Sequence, residues 1–574
     1  EVTRSTKSVA DESVFRWFPQ SSWVRSANSL REGSRYLFFQ KESQEVVAPT
    51  VDSDTPGMAI ELRPIAMLWK NNDPDVRPIV ATADSARVDL SERLSLQPSS
   101  DGGHTRLVSG WLTGNVVVQG PKNLQISGQE FYVDEQSMKL RSLHPVDFAF
   151  EGHTGRAEGG VEIDLQRDPG DTKGLTSVNG ISRVTLNGPL ICDLKFHDDD
   201  PDRNSTHLEI QAPSHFTFDL RSNIGTFFGR RGGGQNTENR VVVKRFTDRE
   251  PDHLYCPQLV VEFHPRIKPD TGEAERSRLQ LGKVSARGRG RSTVVYLSAE
   301  HNLKASMMQL DYHVGAKQLD MFGELQDTKE PLPDELKNLR IKITQDGRTL
   351  RVPHLRMLHG DGNVVERIEC RGRGHVTQNA DMATPTASQP ADKTIATEVV
   401  WNRQLSVQRA ADGQTHTIAI DGNGIVSLPD RGMKLSGHTI DVTVHTPQTE
   451  SDDQTSREDG SISLYLSDAR PEQLVARGNV ILRSPQASGE IRQQLTCYFD
   501  STADDNRVKA ISQSRTVSSP SDPFSPQQQN DDESQEYTEF SGREMSAHII
   551  IPEDSDAPQR WDFVRLSGDV KVTH

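Results

Sequence analysis

Apolar and polar residues alternate with a period of two along most of this chain, in short runs broken by Gly, Asn, Asp and Pro. One run, Gly114-Asn115-Val116-Val117-Val118, returns as Gly478-Asn479-Val480-Ile481-Leu482 and as Gly568-Asp569-Val570-Lys571-Val572. Looser copies are Gly424-Ile425-Val426-Ser427-Leu428, Gly374-His375-Val376-Thr377 and Gly188-Pro189-Leu190-Ile191-Cys192, and the lead-in VSARGRG at 284–290 is close to IECRGRG at 368–374. The second and fourth residues after the Gly are apolar nearly every time, while the third varies. Successive side chains of a strand point to opposite faces. The pattern therefore predicts that the second and fourth residues turn to a buried interior and the third turns away. The Gly ahead of them suits a tight corner or bulge.

A second strand follows each of these after a variable turn: LQISGQEFYVD (124–134), LKASMMQLDYHV (303–314), MKLSGHTIDVTV (433–444) and GEIRQQLTCYFD (489–500). A third piece comes next, as in SMKLRSLHPVDFAF (137–150), AKQLDMFGELQ (316–326) and NRVKAISQS (506–514). One unit is thus three or four short strands in about forty residues, a period that points to stacked repeats. In such an array each unit covers its apolar face with its neighbours. The alternative, a set of unrelated β-sandwich domains, would not keep one Gly register along the whole chain. Helical periodicity is confined to 11–30, interrupted by Pro19, and to a turn or two at 330–341. Polar, Pro- and Ser-rich stretches at 95–104, 229–239, 378–394, 447–460 and 514–537 read as long loops or linkers, since they bury too little surface to offset chain entropy.

The chain has 574 residues, of which 33% are hydrophobic and 26% charged, and its formal net charge is -16. That balance excludes a general nucleic-acid surface, which needs a basic stripe, but leaves room for an anion held in a local basic patch. Cys192, Cys256, Cys370 and Cys497 lie far apart without a CxxC pair, so they read as buried free thiols. There is no run of 18 apolar residues to cross a membrane as a helix. Residue 1 is Glu rather than Met. The chain reads as a mature or trimmed form, with any signal or anchor upstream.

The ordered set Gly114-Asn115-Val116, Tyr132-Val133-Asp134, Leu140-Arg141-Ser142 and Pro145-Val146-Asp147-Phe148, followed by GHTGRAEGGVEIDL at 152–165, resembles the OstA/LptA and LptC family of periplasmic lipopolysaccharide-transport proteins. RPIVATADSARVDLSERL at 77–94 resembles the start of an LptC-type domain. The resemblance is best over about 60–165 and 415–512, weaker between them, and resumes at 561–574. The chain departs from the family in its greater length, its polar insertions, and degenerate rungs at 184–220 and 281–325.

The resemblance implies an all-β, elongated β-jellyroll or β-taco of stacked short antiparallel strands, solenoid-like, with few short helices. It implies an N-terminal extension at 1–59, an LptC-like jellyroll at 60–226, degenerate central repeats at 240–377, a linker at 378–394, an OstA-like jellyroll at 395–512, an insertion at 513–538 and a terminal rung at 539–574. Function would be non-enzymatic: acyl chains of lipopolysaccharide or a similar multi-acyl lipid in an apolar groove between two sheets, with sugar and phosphate outside. Burial yields about 0.8 kcal/mol per CH₂, so such a lipid needs a long dry trough. Neighbouring β-jellyroll proteins would join by edge-strand addition at GDVKVTH. The location would be the periplasm, with any inner-membrane anchor upstream of residue 1.

The strand pattern makes Val116, Val118, Ile126, Val426, Leu428, Val480, Leu482, Val570 and Val572 the candidate lining, and each of them could equally pack a dry core. Arg287, Arg289, Arg371 and Arg373, at the Gly-led corners, are candidate phosphate contacts or simply exposed corner residues. Neither a cofactor nor a metal is expected. HDDDPD at 197–202 lacks the spacing of a calcium loop, and no nucleotide-binding or hydrolase motif occurs. Trp111, Trp401 and Trp561 each precede a strand block and are expected to cap it. Two rival readings stand beside the carrier: a structural or adhesive β-solenoid with a filled core and protein partners, and a carbohydrate-active β-helix enzyme. The enzyme needs carboxylates in register on successive rungs, and none is apparent.

Overall fold

A computed structural model describes residues 28–32, 36–46, 58–69, 77–90, 107–134, 136–167, 178–196, 206–230, 237–246, 250–267, 274–299, 301–326, 341–360, 364–379, 395–446, 470–485, 487–501, 538–551 and 560–573. The chain is all-β, as the alternation predicts. Among the described residues the helices are two single 3₁₀ turns, Thr237–Asn239 and Pro429–Arg431. The helix expected at 11–30 lies outside the described residues except for its last three, which open the strand Asn28–Glu32. The turn expected at 330–341 lies outside them up to Ile341, which starts a strand. The loops at 95–104 and 447–460, the acidic run 197–202, and most of 378–394 and 514–537 also lie outside.

The chain divides into two compact units, Glu1–Val294 and Val295–His574. This division falls inside the expected block 240–377, because Thr206–Ala212 pairs with Val241–Arg245 across the polar stretch 229–239.

In the first unit two antiparallel sheets share their strands. One sheet runs through Ser85–Leu90, the 107–113 half of Leu107–Gln119, the end of Gln125–Asp134, Lys139–Ser142, Val161–Arg167, Val178–Asn187, His215–Asp219, Ile224–Phe228, Gln258–Ile267 and Ala274–Arg287. The other runs through Ile79–Ala83, the remaining halves of Leu107–Gln119 and Gln125–Asp134, Val146–Phe150, His153–Ala157, Leu190–Phe196, Thr206–Ala212, Val241–Arg245 and Asp252–Cys256. The chain crosses between sheets at corners such as 114–115, 143–145, 188–189 and 257. It turns back within a sheet at hairpins such as 120–124, 151–152 and 220–223. Because each strand runs from a corner to a hairpin, corners collect along one edge, where the sheets join, and hairpins along the opposite edge.

The inner faces carry ladders of apolar residues in register. In the first sheet Val88, Gly110, Val133, Leu140, Ile163, Val184, Phe218, Gly225, Val261 and Val284 stand opposite one another in sequence. In the second sheet the row is Ala81, Val118, Ile126, Phe148, Gly155, Cys192, Ile210, Val243 and Leu254.

The second unit repeats the scheme. One inner row is Leu310, Met321, Leu355, Cys370, Leu405, Ile420, Ile440, Ala476, Leu495, Met545 and Leu566. The other is Ala305, Ile343, Leu350, Val376, Val399, Val426, Leu435, Leu482, Gly489, Phe540 and Val572. Ala487–Ser501 and Thr538–Ile551 depart from the antiparallel rule and run parallel.

The Gly-led corners have a specific backbone cause. Gly114 has φ +90° and Gly478 +74°, left-handed values that suit Gly. Asp84, at the preceding corner, braces Gly114 by accepting from the Asn115 backbone N–H and side-chain amide, both at 2.9 Å. Two looser copies are out of register with this. The left-handed residues there begin at Gly422, followed by Asn423, and at Gly372, two positions before Gly424 and Gly374, which lie inside or at the start of strands.

All four cysteines are buried and free, as expected. Burial pushes each thiol up to about 12, so the reactive thiolate is scarce at neutral pH. Ellman's reagent should find almost no thiol in the native protein and all four in denaturant; fast native labelling of any one would show that its rung opens.

Candidate functional site: an apolar trough between two sheets

The space between the sheets is the feature common to both units, and its walls differ between them. In the first unit the inner rows meet. Phe150 of the second sheet lies 4.8 Å, ring to ring, from Phe218 of the first, and 6.5 Å from Phe263. His153 reaches Phe263 at 6.5 Å. A void of about 50 Å³ remains, bordered by Ile126, Phe148, Phe150, Val184, Phe216 and Phe218 among others, which is room for a few water molecules. In this arrangement the first unit is filled.

The second unit is more open over its strands from Ile395–Trp401 to Val480–Arg483. Val399, Val407, Ile418, Val426, Val442, Leu474 and Leu482 all belong to inner rows, yet each is only half-buried. Their neighbours on the same strands, Ile420 and Ile440, are fully buried. The accessible aliphatic positions include a row, Val407-Ile418-Val442-Leu474, on the hairpin side of the buried one. This is an apolar wall with its hairpin-side margin reachable from solvent.

The predicted lining residues fall into three groups. Val116, Val118 and Ile126 are buried inner-row residues of the first unit. Val480 is buried in the second unit, and Val426, Leu428 and Leu482 are half-buried there. Val572 occupies an inner-row position opposite Phe540 but is 56% exposed, and Val570 sits in the preceding turn at 47%. The strand of Val572, Lys571–Thr573, pairs with Thr538–Ile551 on one side only among the described residues.

The four arginines lie at corners, away from the hairpin edge where the headgroup of a lipid held between the sheets would emerge. Arg371 is further committed to Glu369, which accepts from its Nη2 at 2.6 Å. Arg287 donates to the Ser285 hydroxyl at 3.3 Å. Arg289 and Arg373 are exposed beside left-handed glycines, Gly290 and Gly372. The corner placement therefore fits exposed corner residues better than phosphate ligands.

Other expectations change in detail. Trp111 does not cap a block: it stands mid-strand on the outer face, its ring 4.6 Å from that of Tyr132 and tilted 40° to it. Trp401 does end a strand, fully buried against Gly374. The side chain of Trp561 lies outside the described residues. Carboxylates do occur in register, contrary to the sequence reading: Asp311 faces Asp320 across neighbouring strands, on the outward side of the row that holds Leu310 and Met321. Both are buried. Asp320 accepts from His354 Nε2 and Arg356 Nε, each at 2.9 Å. Burial alone would raise its pKa, but hydrogen bonds from Gln318, Arg356 and His354 outweigh that and hold it below the usual carboxylate value. An acid kept ionised in this way fits a structural ion pair rather than a proton donor.

The aromatic cluster of the first unit went unnoticed in the sequence. Its signal is visible in retrospect: DFAF (147–150), HFTFDL (215–220) and VVEFHP (260–265) place Phe on inward parity within closely spaced strands. Among the described residues, no group of three or more His, Cys, Asp or Glu is arranged to hold a metal ion, and no helix is long and apolar enough to cross a membrane. The sequence matches no protein-family model and no curated protein.

Proposed function

We propose that this chain is a non-enzymatic lipid-binding protein that holds the acyl chains of lipopolysaccharide or a similar multi-acyl lipid between its two sheets. The observation that carries the reading is the half-open inner wall of the second unit, where aliphatic side chains face inward in register and still meet solvent. A trough of stacked rungs suits a lipid with several chains, since each buried methylene adds about 0.8 kcal/mol. The proposal includes a periplasmic location and edge-strand addition to a neighbouring β-jellyroll protein, for which Arg560–Ser567 and Lys571–Thr573 offer strands paired on one side among the described residues. It also includes membrane contact through a segment upstream of residue 1.

The filled interior of the first unit favours a second reading, in which the chain is a structural scaffold with a packed core and protein partners. Delipidated full-length protein incubated with a photo-crosslinkable lipid A analogue separates the two. The carrier reading expects labelling near one lipid per chain, on peptides containing Val426, Val442 and Leu474. Background labelling spread over outward positions would leave the scaffold.

A further inference from the structure

The hairpin edge of the first unit carries a cation that neither reading uses. In the turn 120–124, Lys122 and Asn123 take left-handed φ of 58° and 54°, and the loop is closed by Gly120 N–H to Leu124 O at 2.8 Å. This turn belongs to the second sheet. From it the Lys122 ammonium crosses to the 220–223 hairpin of the first sheet, donating to the Asn223 side-chain oxygen and to Leu220 O at 3.5 Å. Burial lowers the Lys122 pKa, while Glu151, in the next hairpin of the second sheet, acts against that. Next along the chain come Leu124 and Ile126, which line the void, and beside Glu151 stands Phe150, which seals it against Phe218 and Phe263. A polar strap thus lies at the margin of an aromatic seal, and both bridge the two sheets.

We infer that Lys122 is the headgroup ligand of an acyl-chain site in the first unit, for a phosphate-bearing lipid whose headgroup also offers a hydrogen-bond donor. The chain enters by parting Phe150 and His153 from Phe218 and Phe263 and fills the widened void. The phosphate replaces the two neutral oxygens of Leu220 and Asn223 as partner of the ammonium, trading neutral acceptors for a charge-assisted bond. A headgroup amine or hydroxyl donates to Glu151, which would repel a headgroup that carried phosphate alone. The site lies at the hairpin edge, where headgroups emerge, and so takes the role that the corner arginines are badly placed to fill. The inference rests on the trough reading.

The test uses the delipidated full-length protein and two photoactivatable myristoyl probes: a lysophosphatidylethanolamine and a monoacylglycerol with the same chain and no phosphate. Crosslinked peptides are mapped to 124–134 and 146–150. Wild type should label there about tenfold more with the phosphate probe than with the neutral one, and Lys122→Gln should erase that preference while leaving the neutral probe unchanged. Lys122→Arg should keep it. Asn223→Ala, which removes a competing acceptor without touching the charge, should hold or raise it, and it serves if Lys122→Gln fails to fold. Equal labelling by both probes, or a preference that survives Lys122→Gln, overturns the inference and leaves the trough reading standing. Labelling of the second unit alone has the same meaning. No labelling of either unit removes the trough reading itself.

Discussion

Gly374→Ala should destabilise the second unit by about 3 kcal/mol, near the top of the range for overpacking a core. Gly374 stands opposite Trp401 in the ladder, and a Cβ built on it would lie 2.0 Å from the indole Cζ2 and 2.3 Å from Cε2. Those atoms belong to a rigid bicycle that is fully buried, so no flexible end can swing aside. Either the indole leaves its place or the strands Gly374–Asn379 and Ile395–Trp401 separate. Gly315→Ala is the matching control, because its Cβ would meet nothing within 4 Å. Urea unfolding followed by Trp fluorescence reads the difference. Equal midpoints for the two variants would show that the indole is not packed as described.

On the carrier reading, Val442→Asp should cut lipid uptake by the second unit about thirtyfold while the protein stays folded. Val442 lies on the inner row between Ile418 and Leu474 and is half-buried, so a carboxylate there reaches water in the lipid-free protein and costs little. Once acyl chains cover the wall, the carboxylate is buried without a partner or the chain withdraws from it. Losing contact with two or three methylenes is worth about 2 kcal/mol, roughly thirtyfold in affinity. Thr443→Asp, one residue on and facing outward, should bind as wild type does. If both variants lose uptake equally, the effect is one of net charge; if neither does, the wall is not the binding surface.

The architecture was legible because each strand presents an alternating pattern to one face, and because the corner needs a left-handed backbone that Gly supplies. That is why Val116, Val118 and Ile126 could be placed inward from spacing alone. The same logic slipped by two residues at Gly374 and Gly424: the turn-forming Gly372 and Gly422 precede a second Gly, and the pattern of apolar residues after them does not distinguish the pair. Whether an inward residue is sealed or accessible was not legible at all. Val118 and Val426 occupy equivalent places in their repeats, yet one is buried and the other half-open. Burial at these positions is set by how closely the two sheets approach, and residues that meet across the void, such as Phe150 and Phe218, are far apart in the chain. The two readings of the corner arginines stayed open in the sequence for a related reason. Sequence showed them beside the repeat's Gly but not which edge that Gly would occupy. Lys122 carried no signal either, since its partners Leu220 and Asn223 are about a hundred positions away.

The parallel pair formed by Ala487–Ser501 and Thr538–Ile551 gives the polar tract between them a length requirement. Ala487–Ser501 turns from one sheet into the other between Ile491 and Gln494, so both its ends stand at the hairpin edge, on facing sheets that pack about 10 Å apart, and a chain that must restart beside its beginning has that gap to cross. The intervening tract 502–537 is ample for the return, since an extended chain covers about 3.3 Å per residue. Trimmed below roughly three residues, it could no longer bridge that gap, and the parallel pairing of Thr538–Ile551 would be lost. Composition in this tract is therefore free to drift, whereas its span is fixed by the geometry of the rung it connects.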